Sequence, residues 1–76
     1  PKPKLTDEDA LSRVKPNVNV QENHLALIHN QLGEEVLCYE FYGVLDDNTY
    51  RIFINAQNGE EEIVEKLPNP EIVYDY

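Results

Sequence analysis

Glu35-Val36-Leu37-Cys38-Tyr39-Glu40-Phe41-Tyr42-Gly43-Val44-Leu45, then Asp46-Asp47-Asn48, then Thr49-Tyr50-Arg51-Ile52-Phe53-Ile54-Asn55-Ala56, is the stretch whose reading decides the fold. Two runs rich in β-branched and aromatic residues flank a short polar turn, the pattern of a β-hairpin. Side chains alternate between the two faces of a strand, so a one-residue slip would flip a whole strand. An even loop, Asp46-Asp47 or Asp46 to Thr49, puts Leu37, Tyr39 and Phe41 on one face with Ile52 and Ile54. A three-residue loop would bring Glu40 beside Ile54 in the core. The even loop is therefore expected.

The reading extends in both directions from this hairpin. Downstream, Asn58-Gly59 is a hairpin signal, because both central positions of a type I′ turn need positive φ. A two-residue turn there pairs Ile54 with Ile63 and Tyr50 with Leu67 in a last strand over residues 60–67. It also puts Glu65 opposite Ile52, tolerable only at an edge. Upstream, residues 24–30 are mostly apolar and lead into a Gly-containing turn at Gln31 to Glu34. Val18 and Val20 add a short extended entry. Before them, Leu5-Thr6-Asp7-Glu8-Asp9-Ala10 reads as a helix start, with Thr6 as N-cap and three acids on the positive end of the helix dipole. The helix is expected to run about ten residues and to stop at Pro16, since the residue before a proline avoids helical geometry. The expected fold is α+β: one short N-terminal helix on one face of a 3–4-stranded antiparallel meander sheet. Residues 5–67 form the domain and residues 68–76, after Pro68, a C-terminal tail.

Leu11 and Val14 of the helix would cover Leu37, Tyr39, Phe41, Tyr50, Ile52, Ile54, Ile63 and Leu67. The opposite face is mixed, and one helix covers only one face of a sheet. Val36, Tyr42, Phe53 and Val64 cluster there as a candidate partner-binding surface, exposed unless another molecule covers it. A neighbouring domain, a protein partner or a second copy could do so.

Composition limits the function classes. The chain has 76 residues, enough for one core. Six Lys and Arg face fifteen Asp and Glu, for a net charge of −9. The basic residues are scattered, which argues against nucleic acid and anionic lipid and allows a basic protein partner. No apolar run approaches the ~20 residues of a membrane span. One cysteine excludes an internal disulfide and a multi-cysteine metal site. The chain opens at Pro1 with neither initiator Met nor signal segment, so it reads as a piece of a longer protein.

Little in the sequence suggests catalysis. His24 and His29 are five apart, on opposite faces of a strand, and would not share a metal. Cys38 lies within an apolar strand, where free cysteine acts as a small hydrophobe. Ser12 has no nucleophile signature. Glu60-Glu61-Glu62 and Asp46-Asp47-Asn48 lack the ligand spacing of a calcium loop. No catalytic residue, metal or cofactor is expected.

Three segments carry a family resemblance: Leu5 to Leu11 with its Glu8-Asp9-Ala10 start, Gly33 to Phe41, and Thr49 to Glu62 with its hairpin Asn55-Ala56-Gln57-Asn58-Gly59-Glu60. Together they resemble a PepSY domain over roughly residues 5–67. Within that family, Gly33 to Phe41 is most similar to the last repeat of a spore germination protein. The resemblance implies an extracytoplasmic domain of a spore former, held by the parent's N-terminal membrane anchor and followed or preceded by other PepSY repeats. The implied partner is a cortex-lytic, peptidoglycan-cleaving hydrolase of the SleB type, each protein needing the other to persist in the dormant spore. The resemblance implies as its alternative a propeptide-like protease inhibitor or chaperone. A lone thiol fits an oxidising compartment only if buried.

Overall fold

The computed structural model describes residues 2–68; the tail expected over 68–76 lies, beyond Pro68, outside the described residues. One helix precedes four strands: α1 (Asp7–Leu11), β1 (Asn19–His29), β2 (Glu35–Leu45), β3 (Asn48–Asn55) and β4 (Glu61–Lys66). The strands form an antiparallel sheet in the order β1-β2-β3-β4. This is the α+β meander that the sequence implies.

The β2–β3 hairpin follows the parity argument. Tyr39 faces Ile54, Phe41 faces Ile52 and Leu45 faces Asn48. Asp46 and Asp47 have φ of 51° and 65°. This two-residue connection has both central residues in the left-handed region, as a type I′ turn requires, and short Asp side chains tolerate it.

The β3–β4 connection differs from the expected one. Asn58 is not among the positive-φ residues, whereas Gly59 is, at 78°. The turn is longer: Gly59 N–H donates to Asn55 O at 2.9 Å and Asn55 N–H to Glu60 O at 2.7 Å. β4 is accordingly shifted by one residue, pairing Ile52 with Val64 and Phe53 with Ile63. An irregularity between Phe53 and Ile54 follows, where Ile54 already faces Glu61. Glu62 is the extra residue of this β-bulge. The slip moves Ile63 off the helix side and Val64 onto it. It also relieves the awkward pairing of Glu65 with Ile52, since Glu65 now faces Arg51.

α1 is shorter than expected. Thr6 and Asp9 close a capping box, Thr6 Oγ1 accepting from Asp9 N–H and Asp9 Oδ2 from Thr6 N–H, both at 3.1 Å. The chain then tightens: Arg13 N–H donates to Ala10 O and Val14 N–H to Leu11 O, the i→i−3 bonds of a 3₁₀ turn. Ser12, not Pro16, is the C-cap. The cover is Ala10 and Val14, both buried, while Leu11 is 42% exposed. They pack with Tyr39, Phe41, Ile52, Ile54 and Ala56, and with the half-buried Val18, Val20, Leu37 and Tyr50. β1 incorporates Val20 in one long strand with a bulge near Gln21, rather than starting at His24.

Gly43 lies mid-strand on the helix side. A Cβ there would run into Val18 Cγ1, so the missing side chain lets the entry to β1 fold over the sheet. Gly43→Ala should lower stability by about 1–3 kcal/mol through overpacking. Urea titration should show part of this loss recovered in Gly43→Ala/Val18→Ala.

Candidate functional site

Two regions carry the polar chemistry: the sheet face away from α1, and the end of the sheet holding the β1–β2 and β3–β4 turns.

On the open face the register makes two rows that cross all four strands. His24, Glu40, Phe53 and Ile63 form one; Glu22, Tyr42, Arg51 and Glu65 form the other. Glu40 is buried and doubly engaged. Its Oε1 is 2.9 Å from His24 Nε2, and its Oε2 is 3.2 Å from Arg51 Nε, an ion pair without hydrogen-bond alignment. Arg51 Nη1 reaches Glu65 at 3.8 Å, and the guanidinium carbon lies 5.5 Å from the Tyr42 ring centre. The Tyr42 phenol is held above its usual range, first by a hydrogen bond to Glu40 and then by desolvation. The face is closed over its own charges.

This closure changes the candidate surface. Val36 and Tyr42 lie on the open face, each half-buried. Phe53 lies there too but is only 8% exposed, because β3 is an interior strand with Glu40 and Ile63 flanking it in register. Val64 is on the other side of the sheet, 49% exposed. It lines a groove of about 340 Å³ with Val14, Val18, Leu45, Tyr50 and Ile52, beyond the reach of the short helix. The four residues therefore do not form one patch. The signal was present in the sequence: the mismatch of Glu65 with Ile52 already argued against the register that grouped them.

Cys38 is fully buried, flanked in register by Ala26 and Asn55, with no histidine in its row. Burial first, and then the Glu62 carboxylate, pushes its thiol from 9.0 up to about 11. This is an unreactive thiol rather than a nucleophile.

At the sheet end, both turns are built on asparagines. Asn55 Oδ1 accepts from Gln57 N–H at 2.7 Å and Asn58 N–H at 3.2 Å. Asn30 Oδ1 accepts from Leu32 N–H and Glu34 N–H, both at 3.0 Å. Both side-chain amides donate to Glu62, Asn55 at 3.0 Å and Asn30 at 3.5 Å. The bulge in β4 thus supplies a carboxylate that ties the two turns together. Between them opens a cleft of about 530 Å³ whose lining includes Glu34, Glu35, Glu60 and Glu62 and no Lys or Arg. Among the described residues, no group of three or more His, Cys, Asp or Glu is placed to hold a metal ion, and no helix is long and apolar enough to cross a membrane.

Residues 4–65 match the family described as peptidase propeptide and YPEB domain. The chain belongs to the PepSY family. Among PepSY proteins it is 60% identical to the sporulation protein YpeB of Halalkalibacterium halodurans, over 97% of this chain and 17% of that protein. It is 53% identical to the sporulation protein YpeB of Bacillus subtilis, over 97% of this chain and 16% of that one. The solved Bacillus megaterium YpeB C-terminal domain superposes with a TM-score of 0.89 at 58% identity, covering 91% of this chain and 30% of that structure. The chain therefore spans about a sixth of the length of the curated relatives it matches. The Asn-Ala-x-x-Gly-Glu hairpin that carries the PepSY resemblance is the Asn55 turn.

Asn55→Ala should cost about 1–3 kcal/mol, because it strips two part-buried turn N–H groups of their acceptor and Glu62 of the shorter of its two amide contacts. Asn55→Asp restores the acceptor but sets a second carboxylate against Glu62, so its loss should shrink at high salt in thermal melts.

For Cys38, a thiol pushed by burial from 9.0 up to about 11 has a thiolate fraction near pH 8 that is ~100-fold lower. Alkylation by iodoacetamide should therefore be at least that much slower in the folded chain than in urea. The unfolded thiol ionises first as pH rises, so stability should fall between about pH 9 and 11. In Cys38→Ala that slope should flatten.

Proposed function

We propose that this domain is a non-enzymatic interaction module that binds, stabilises or restrains a spore cortex-lytic peptidoglycan hydrolase of the SleB type during sporulation and germination. It would act outside the cytoplasm, beside neighbouring PepSY repeats and attached through a membrane anchor carried elsewhere in the longer protein. The observation that carries this reading is kinship with sporulation proteins at 53–60% identity over nearly the whole chain. The chemistry of the chain supports it. The buried carboxylate Glu40 is engaged with His24 and Arg51, and the Cys38 thiol is held protonated, so neither is poised for catalysis.

The family description also names peptidase propeptides, which favours a second reading: a propeptide-like inhibitor or chaperone of a protease. The immobilised 76-residue chain should retain a cortex-lytic hydrolase from solution. Bacillus subtilis YpeB carrying this segment in place of its own should keep that hydrolase in dormant spores. Failure of both would overturn the hydrolase reading. Slowing of a metalloprotease by the chain, with no hydrolase capture, would establish the second reading instead.

A further inference from the structure

We propose that the outer edge of β1, with the acidic cleft at its end, takes up an extended basic segment of a protein partner by strand addition. The inference rests on the reading of this domain as an interaction module and names the surface it would use.

The two edges of the sheet are unlike. β4 is six residues long and carries Glu61, Glu62, Glu65 and Lys66, the charges that natural edges use to repel further strands. β1 is eleven residues long, Asn19–His29; its bulge near Gln21 and its one acid, Glu22, lie in its first half, and the second half, Leu25–His29, has no Pro, Lys, Arg, Asp or Glu. It contains the unbroken apolar run Leu25-Ala26-Leu27-Ile28, and among the described residues no other segment hydrogen-bonds to its outer edge. Its free N–H and C=O groups point away from β2, ready for another strand. Leu25 and Leu27, 46% and 54% exposed, stand beside that edge on the helix side.

Charge decides the occupant. The last residues of β1 run into the cleft, whose lining includes Leu27 and Asn30 as well as the four glutamates. Leu32, 83% exposed, stands at the tip of the adjoining turn. A strand added to β1 therefore places one end beside Glu34 and Glu35 of the β1–β2 turn and against exposed leucine, with Glu60 and Glu62 farther off across the cleft. A second copy would bring another −9 to a chain already at −9, whereas Lys or Arg at the end of a partner strand would meet opposite charge.

The test uses two peptides of about ten residues, both alternating Val and Thr, one ending in lysine pairs and the other in glutamate pairs. Binding to the 76-residue chain is followed by backbone amide shifts and hydrogen exchange. The lysine peptide should protect and shift amides of β1, and should bind ~10-fold more tightly than the glutamate peptide at low salt. Glu34→Gln/Glu35→Gln/Glu60→Gln should erase that preference; Glu62 is left in place because it ties the turns. Leu27→Lys should weaken binding of the lysine peptide while leaving the melting temperature close to the parent's. Shifts confined to β4 or to the groove beside Val64, equal binding of both peptides, or no binding would overturn the proposal. So would dimerisation through β1 that excludes the peptide. If the hydrolase fails to bind while the lysine peptide still adds to β1, the edge stands and the hydrolase reading falls. Hydrolase capture unaffected by Leu27→Lys, with no peptide uptake, has the reverse meaning.

Discussion

Asn55 stands where three parts of the structure meet. Its side-chain oxygen gathers the amides of the β3–β4 turn, and its side-chain nitrogen holds Glu62. Its neighbour Ala56 donates to Leu37 O and accepts from both Lys4 and Leu5 N–H. The first set of bonds fixes how many residues the turn contains, and therefore the register of β4. The second brings the N-terminal segment across the sheet. Placing Val64 toward the helix and Glu65 beside Arg51 follows from the turn length, because alternation along a strand leaves no intermediate choice.

The helix depends on the same anchor. Five residues cannot sustain a helix in water, where even about a dozen are marginal. α1 persists because its start is capped by Thr6 and Asp9, and because the sheet holds the chain on either side of it. Lys4 and Leu5 bind Ala56, Tyr39 Oη donates to Leu5 O at 2.7 Å, and Ala10 and Val14 are buried. A helix this short leaves apolar surface beside β4 and along β1 that a longer one would have covered.

Much of this was legible in the residues. The bounds of β2, the parity across Asp46-Asp47 and the Thr6 cap follow from local pattern, because each is set by neighbours in sequence. The β3–β4 turn was not, for a specific reason. Asn58-Gly59 carries the sequence mark of a two-residue turn, but Asn55 captures the following amides first, and only Gly59 takes positive φ. Asp46-Asp47 has the weaker mark and yet forms the tight turn. The candidate surface inherited the β4 error at Val64. Phe53 lies on the expected face but is covered there: alternation assigns a residue to a face, whereas burial on that face depends on the strand's place in the sheet and on long neighbours such as Glu40 and Arg51. The asymmetry of the edges and the convergence of Asn30 and Asn55 on Glu62 are properties of the assembled sheet.

The contrast between β1 and β4 also bears on assembly. A sheet open at both sides can grow without limit, each added strand exposing a new template, which is the route to fibres. Here one side is open, while the other ends in a short, mostly acidic stretch that discourages a further strand. With the proposed uptake at β1, such a domain would have a valence of one. It would be capped without propagating, and a protein carrying several copies would count its partners by the number of copies instead of polymerising through them.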